Sequence, residues 1–260
     1  MEQQRIKTYV INLPKDTDRR ISVAGELSKI PCLDPEFVDA VDGRELGKEK
    51  LGKLFDFKKS KSYRSNDLAL GEVGCTLSHF ECYKRLLASD QEFALIVEDD
   101  IGFKWNEPYD DILKISARYI RSKKPLVLLN FAFFDYMGKG ISVKDNYKIY
   151  KTYKAASATI YFINRQAANM IVSAGPPFWV ADDWSLFRRK GIRIDALYPS
   201  FVYHKDDAFE SSIGWDDRKK RTIRIPHSWM EFRALADEGF RILLKKLGIM
   251  KHKEFIRYRE

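Results

Sequence analysis

Residues 93–100, FALIVEDD, constrain this chain more than any other segment. A run of β-type apolar residues passes straight into three consecutive carboxylates, Glu98, Asp99 and Asp100. A strand without polar alternation is buried on both faces, which places it inside a sheet covered by helices on each side. In open α/β sheets the ligand crevice lies beyond the carboxyl ends of such strands. Three adjacent anions repel one another, and a hard divalent cation such as Mg²⁺ or Mn²⁺ would relieve that repulsion and hold a diphosphate in turn. A solvated acidic turn is the competing account of the same three residues.

The chain has 260 residues, enough for one domain with or without an appendage. A hydrophobic content of 45% and an aromatic content of 13% mark a globular protein. Its apolar runs, such as 125–134 and 155–163, are too short to span a bilayer. The opening MEQQRIKTYVINL shows neither the long apolar region nor the small-residue cleavage site of a secretory signal, so residence in the cytosol is expected. Cys32, Cys75 and Cys82 are odd in number and lack CxxC spacing, which argues against a disulfide framework or a zinc site. Cys75 and Cys82 are expected as small apolar residues on a helix. The net charge of +9 is unevenly distributed. Residues 1–217 hold 33 Lys and Arg against 32 Asp and Glu, whereas residues 218–260 hold 13 against 5.

Periodicity predicts a strand over 7–13, a helix over 18–30 and a strand over 36–41, a spacing that points to parallel pairing. The Lys-rich stretch 44–70 has little periodicity and reads as a helical turn followed by a mobile loop. A helix over 71–89 follows, with Val73, Leu77, Phe80, Tyr83, Leu86 and Leu87 at helical spacing, and it feeds the acidic strand. Further on, the pattern predicts a helix over 107–122, a strand over 125–131 and strands over 147–153 and 156–163. A helix over 165–173 ends at Gly175-Pro176-Pro177. Ala181-Asp182-Asp183-Trp184 opens the next helix, where Asp182 or Asp183 suits an N-cap. A final strand is expected over 192–203, with Pro199 placing part of it at an edge. Residues 229–250 form an amphipathic helix with Phe232, Ala236, Phe240, Leu243 and Leu247 on one face and Arg233, Asp237, Arg241 and Lys245 on another. Such a helix either lies in a membrane interface, held by anionic lipids, or packs its apolar face on the domain.

Several segments together resemble glycosyltransferase family 25, a group that includes lipooligosaccharide galactosyltransferases. The match runs through YVINLPKDTDRR, AVDGREL, LGEVGCTLSHFECYKRLL with ALIVEDD, SATIYFINRQAANMI and ADDW, covering most of residues 6–205. The resemblance implies a GT-A-type fold over residues 1–225, a Rossmann-like α/β/α sandwich, with 226–260 as a basic amphipathic C-terminal segment. It implies transfer of a hexose, galactose first, from a UDP-sugar donor to a glycan or lipid-linked saccharide of lipopolysaccharide or lipooligosaccharide, with inversion and with Mn²⁺ or Mg²⁺ as cofactor. Asp100 is the expected direct metal ligand, with Asp99 or Glu98 in support and His204 as a possible nitrogen ligand. Glu98 suits a ribose contact equally well. Asp182 or Asp183 is the expected general base, with Trp184 as either a sugar-stacking surface or a core residue. Asn12, Arg19, Arg20, Asp42, Ser78 and His79 are the expected nucleotide-binding residues, Arg because its planar fork matches phosphate oxygens.

The expected setting is the cytoplasm, peripheral on the cytoplasmic face of the inner membrane. A nucleic-acid partner is not expected, since no zinc-finger, RRM or bZIP pattern accompanies the basic tail. A non-catalytic carbohydrate- or nucleotide-binding protein of the same fold is the alternative that keeps the architecture and removes turnover.

Overall fold

The computed structural model describes residues 5–64, 67–104, 108–205 and 229–254. Strand β1 (Ile6–Asn12), helix α1 (Thr17–Ser28) and strand β2 (Leu33–Asp39) form the expected unit, with β1 and β2 parallel. Strand β3 (Phe93–Glu98) pairs with the other side of β1, also parallel. Beyond it, β5 (Leu126–Leu129) and β10 (Arg193–Tyr198) run parallel to each other. One strand breaks the pattern. β9 (Ile160–Asn164) lies between β3 and β5 and is antiparallel to both. Strands β2, β1, β3, β5 and β10 therefore point one way, and the start of β9 lies at their carboxyl ends. The sheet continues from β10 through β8 (Tyr147–Ala156) and β6 (Phe133–Tyr136) to β12 (Lys251–Lys253), with β7 (Ile141–Lys144) also on β8.

Alternation along the central strands builds two cores. Leu95 and Val97 of β3 join Val23 and Leu27 of α1 and Ile112 and Leu113 of α5 (Tyr109–Tyr119). Ala94 and Ile96 face the opposite layer, with Cys82 and Leu86 of α4 (Leu70–Ala88) and Ala167 and Ile171 of α6 (Arg165–Val172). That double burial is why FALIV reads as continuous apolar sequence. Each Leu, Ile, Val or Phe side chain of this run removed from water contributes about 1.5–3 kcal/mol, so the position of β3, and of the acids at its end, is strongly determined.

The sequence misled over residues 44–70, which form two helices rather than a turn and loop: α2 (Gly43–Leu51) and α3 (Phe57–Tyr63). Asp42 and Asp56 cap them, and Leu51 and Phe55 pack on Val73 and Leu77 of α4. Gly47, at φ +69°, interrupts α2 and hides its period. The expected strand over 192–203 is two strands. β10 sits inside the sheet, and β11 (Val202–His204) leaves it to pair with β4 (Ile101–Phe103), so Pro199 marks the break rather than an edge. A second helix layer contact is very tight: a Cβ at Gly74 of α4 would lie 2.3 Å from the Val41 carbonyl oxygen. Only glycine lets α4 abut the corner after β2 this closely.

After residue 228 the described chain re-enters at α8 (Trp229–Lys246) and ends in β12, which hydrogen-bonds to β6. The sheet thus extends into the segment set apart by its charge. No helix among the described residues is long and apolar enough to cross a membrane.

Candidate functional site

The three acids gather where β1 and β3 end and β9 begins. Consecutive residues after β3 point in different directions, and this divides the three acids. Asp99 turns toward β1 and α1: its Oδ2 accepts a hydrogen bond from Asn12 Nδ2 at 2.7 Å, and Arg19 Nη1 lies 3.2 Å from its Oδ1. Burial raises its pKa, although the Asn12 hydrogen bond and the Arg19 charge oppose the rise. Glu98 turns toward α4, where His79 Nε2 stands 3.1 Å from Oε1 and Cys75 Sγ 3.7 Å from the same oxygen. Asp100 turns toward β11, with Oδ2 3.5 Å from His204 Nδ1.

Glu98, Asp100 and His204 converge, each offering one ligand atom within 4.8 Å of the others. Asp100 Oδ1 is buried without a hydrogen-bond partner. Burial, joined by the charges of the neighbouring Glu98 and Asp99, pushes the Asp100 carboxyl up to about 6 against the attraction of His204. Glu98 is also penalised by burial, yet the hydrogen bond and charge of His79, with His204 behind, hold it below the ordinary range. A buried orphan oxygen, two carboxylates and an imidazole are a donor set that fits a divalent cation. The mixed oxygen and nitrogen donors suit Mn²⁺ better than Mg²⁺, which prefers oxygen alone. Asp99, engaged with Asn12 and Arg19, lies outside this cluster.

His204 reaches the cluster through pairing that no local pattern signals. β11 runs against β4 with His204 opposite Ile101, and Lys205 N donates to the Asp100 carbonyl at 2.8 Å. The other ring nitrogen, Nε2, meets Thr159 Oγ1 at 2.8 Å, and that hydroxyl meets Ser157 Oγ at 3.0 Å. Ser157 has φ +85°, a conformation that costs a non-glycine residue on the order of 1 kcal/mol or more. It is gripped from both sides by the ADDW segment: Ser157 N donates to Asp182 Oδ2 at 3.1 Å, and Trp184 Nε1 donates to Ser157 O at 2.8 Å. Asp182 is therefore linked to Asp100 through Ser157, Thr159 and His204.

Its neighbour Asp183 has a different position. Asp183 caps α7 (Trp184–Arg189) by accepting from Leu186 N at 3.1 Å, and burial raises its pKa against the hydrogen bonds of Tyr63 and Leu186 N. Trp184 is 1% exposed and packs edge to face on Tyr161 at 5.1 Å, so it belongs to the core rather than to a sugar-stacking surface.

The remaining expected residues divide between the acid cluster and its supports. Asn12, Arg19 and His79 border the acids. His79 is held by α4 and by Tyr161, whose hydroxyl lies 2.8 Å from Nδ1 and 2.7 Å from the Tyr83 hydroxyl. Ser78 is wholly buried and structural: Oγ accepts from Val41 N at 2.9 Å and donates to the Gly74 carbonyl at 2.8 Å. Asp42 caps α2 and is paired with Lys15 at 2.5 Å, which holds its carboxyl below the usual range. Arg20 lies over the Phe37 ring at 4.1 Å, on the outer side of β2.

Ser157, Thr159 and Tyr161 were not singled out by sequence, and Tyr83 and Cys75 were read only as apolar positions of a helix. The first three fall within SATIY, so the signal was present in a matched segment but attached to no chemistry.

The profile of glycosyltransferase family 25, described as an LPS biosynthesis protein family, matches residues 5–185. The chain belongs to glycosyltransferase family 25. That span contains the family segments around Asn12, Asp42, His79, the three acids and Asp182. A putative glycosyltransferase of Haemophilus influenzae is 29% identical over 219 residues, covering 79% of this chain and 74% of that protein. A glycosyltransferase 25 family member of Aedes aegypti is 38% identical over 104 residues, covering 39% of this chain and 16% of its own length. Procollagen galactosyltransferase 2 of Mus musculus is 34% identical over 100 residues, covering 37% and 16% respectively. The chain thus matches about one sixth of the insect and mouse family members.

Proposed function

We propose that the protein is a metal-dependent inverting glycosyltransferase that moves a hexose from a UDP-hexose to a hydroxyl of a glycan or lipid-linked saccharide. Family membership supports the reaction class, and the name of the mouse relative favours galactose as the hexose. The description of the family favours lipopolysaccharide or lipooligosaccharide as the acceptor class. The observation that carries the reading is the buried, unpartnered Asp100 Oδ1 within the Glu98, Asp100 and His204 cluster.

Glu98, Asp100 and His204 would hold the cation, and Asp99 orients Asn12 and Arg19 beside it. When bound, the cation supplies Lewis-acid neutralisation of the diphosphate charge that grows as UDP leaves. Arg19 extends this positive border along α1. On the acceptor side, Asp182 takes the proton from the attacking hydroxyl. The acceptor oxygen forms its bond to the anomeric carbon from one face. The bond to the UDP oxygen breaks on the other, and UDP departs with the electron pair. One displacement gives inversion and needs one base, which Asp182 supplies while Asp183 caps its helix. Ser157 and Thr159 keep Asp182 and His204 in fixed relation, so the base and the metal-binding imidazole move as one unit.

The test is a thermal-shift screen of UDP-galactose, UDP-glucose, UDP-N-acetylhexosamines and UDP, each with Mn²⁺ and with EDTA. Stabilisation by UDP-sugars only with Mn²⁺ is expected, with UDP-galactose strongest. Equal stabilisation in EDTA would remove the metal from the reading, and none with any UDP-sugar would overturn it.

A further inference from the structure

Helix α8 is docked inside out. Four of its charged residues face the protein: Asp237 accepts from Tyr153 at 2.5 Å and Arg188 at 3.0 Å, and Glu238 pairs with Lys154 at 2.8 Å. Arg241 and Lys245 close on Asp135 of β6 at 2.5 and 2.7 Å. At 100° per residue, these four lie on one half of the helix and Leu235, Phe240, Ile242, Leu243 and Leu247 on the other. Those five apolar side chains are 45–62% exposed. Ordinary surface helices have the reverse arrangement, because apolar surface left in water is unfavourable in proportion to its area. The ion pairs fix this orientation, so the apolar half does not turn inward.

The charge of this segment, and of the outward Lys246 and Lys251, indicates what covers that half. By sequence, residues 218–260 carry 13 basic side chains against 5 acidic ones, an excess that remains when the inward-paired Asp237, Glu238, Arg241 and Lys245 are set aside. Lys246 projects within the apolar half by its helical position, and Lys251 follows it, exposed. A second copy of the chain would bring this positive excess against itself, whereas a surface of acidic head groups neutralises it. The geometry points to α8 as the element that seats the protein on an anionic lipid surface. Leu235, Phe240, Leu243 and Leu247 enter the head-group boundary, and the Asp135 ion pairs tie the helix to the sheet. The helix lies in the interface and does not cross it.

Flotation of the full chain with phosphatidylcholine vesicles, with and without 30% phosphatidylglycerol, tests this. We expect at least tenfold stronger partitioning to the anionic vesicles at low salt, most of it lost at high salt. Leu235→Ser/Phe240→Ser/Leu243→Ser should reduce it at least tenfold without moving the melting transition, and Lys246→Glu should reduce it severalfold. Unchanged partitioning of the triple variant overturns the proposal. So does a melting transition that falls in that variant, which would mean that the face is covered by the chain itself. A wild-type dimer that the triple variant converts to monomer, seen by analytical ultracentrifugation, assigns the face to a second copy and overturns it equally.

Discussion

Two acids, the half-buried Asp100 and the fully buried Asp135, sit in opposite environments. Asp135, 3% exposed on β6, is surrounded by Arg241, Lys245 and His252. Burial opposes its ionisation, yet these three partners hold its carboxyl below the ordinary range. Asp100 has the His204 imidazole, two acidic neighbours and an oxygen with no hydrogen bond, and its carboxyl is pushed up to about 6. The protein neutralises the first acid with its own cations, which makes Asp135 a structural clamp. It leaves the second short of positive charge, which is the state expected of a group that receives its counter-charge from a ligand.

The largest effect that separates the two acids is on turnover. Asp100→Ala should lower hexosyl transfer by about three orders of magnitude or more and abolish Mn²⁺-dependent UDP binding. Asp135→Asn should leave transfer to a soluble acceptor near the wild-type rate. Equal loss in both variants would erase the distinction. Next, Asp182→Asn should cut kcat by about 10²–10⁴ while UDP still binds by calorimetry, as expected when a base is lost. Asp183→Asn should keep turnover, because Asn also caps a helix, and Asp183→Ala should cost about 1 kcal/mol of stability.

The comparison also predicts opposite responses to pH. Asp100 is raised from 3.8 to about 6, so the metal-free fold loses stability as pH rises through that window. Asp100→Asn should therefore stabilise the protein in EDTA by on the order of 1–3 kcal/mol above pH 6, a gain that fades toward pH 4 in melting curves. If the variant melts lower than wild type at pH 8, Asp100 is not an uncompensated charge. The smallest effect is at the clamp. Glu238 is lowered from 4.5 to about 2, chiefly by Arg241, and Asp135 is lowered as well. Their contribution is complete above the unfolded values and is lost as pH falls toward 2. Melting followed by circular dichroism should show that acid-sensitive loss in wild type and less of it in Asp135→Asn.

Much of the sheet was legible because its central strands are buried on both faces, which writes uninterrupted apolar runs into the sequence. The acids at the end of β3 were legible for the same reason: the run stops abruptly at Glu98. What stayed hidden depends on distant pairing. β4 and β11 are three residues each and bring Asp100 to His204 across about a hundred positions of sequence, so no window contains both, and His204 was named beside Asp100 only through the family resemblance. The reversal of β9 was equally invisible, since a buried strand reads the same in either direction. Helices α2 and α3 were masked by Gly47 and by the many Lys side chains that face water. For α8, the amphipathic period was readable but the side turned inward was not, because buried ion pairs override the usual apolar preference.

The reversed strand β9 gives the protein an unusual sensitivity in one place. Because β9 starts beside the acids, the link from β8, residues 157–159, carries the hydrogen bonds between Asp182 and His204 rather than serving as a spacer. Lengthening that link by a single residue, a change most surface connections absorb, would uncouple Thr159 from His204 and move the ADDW segment relative to the acids.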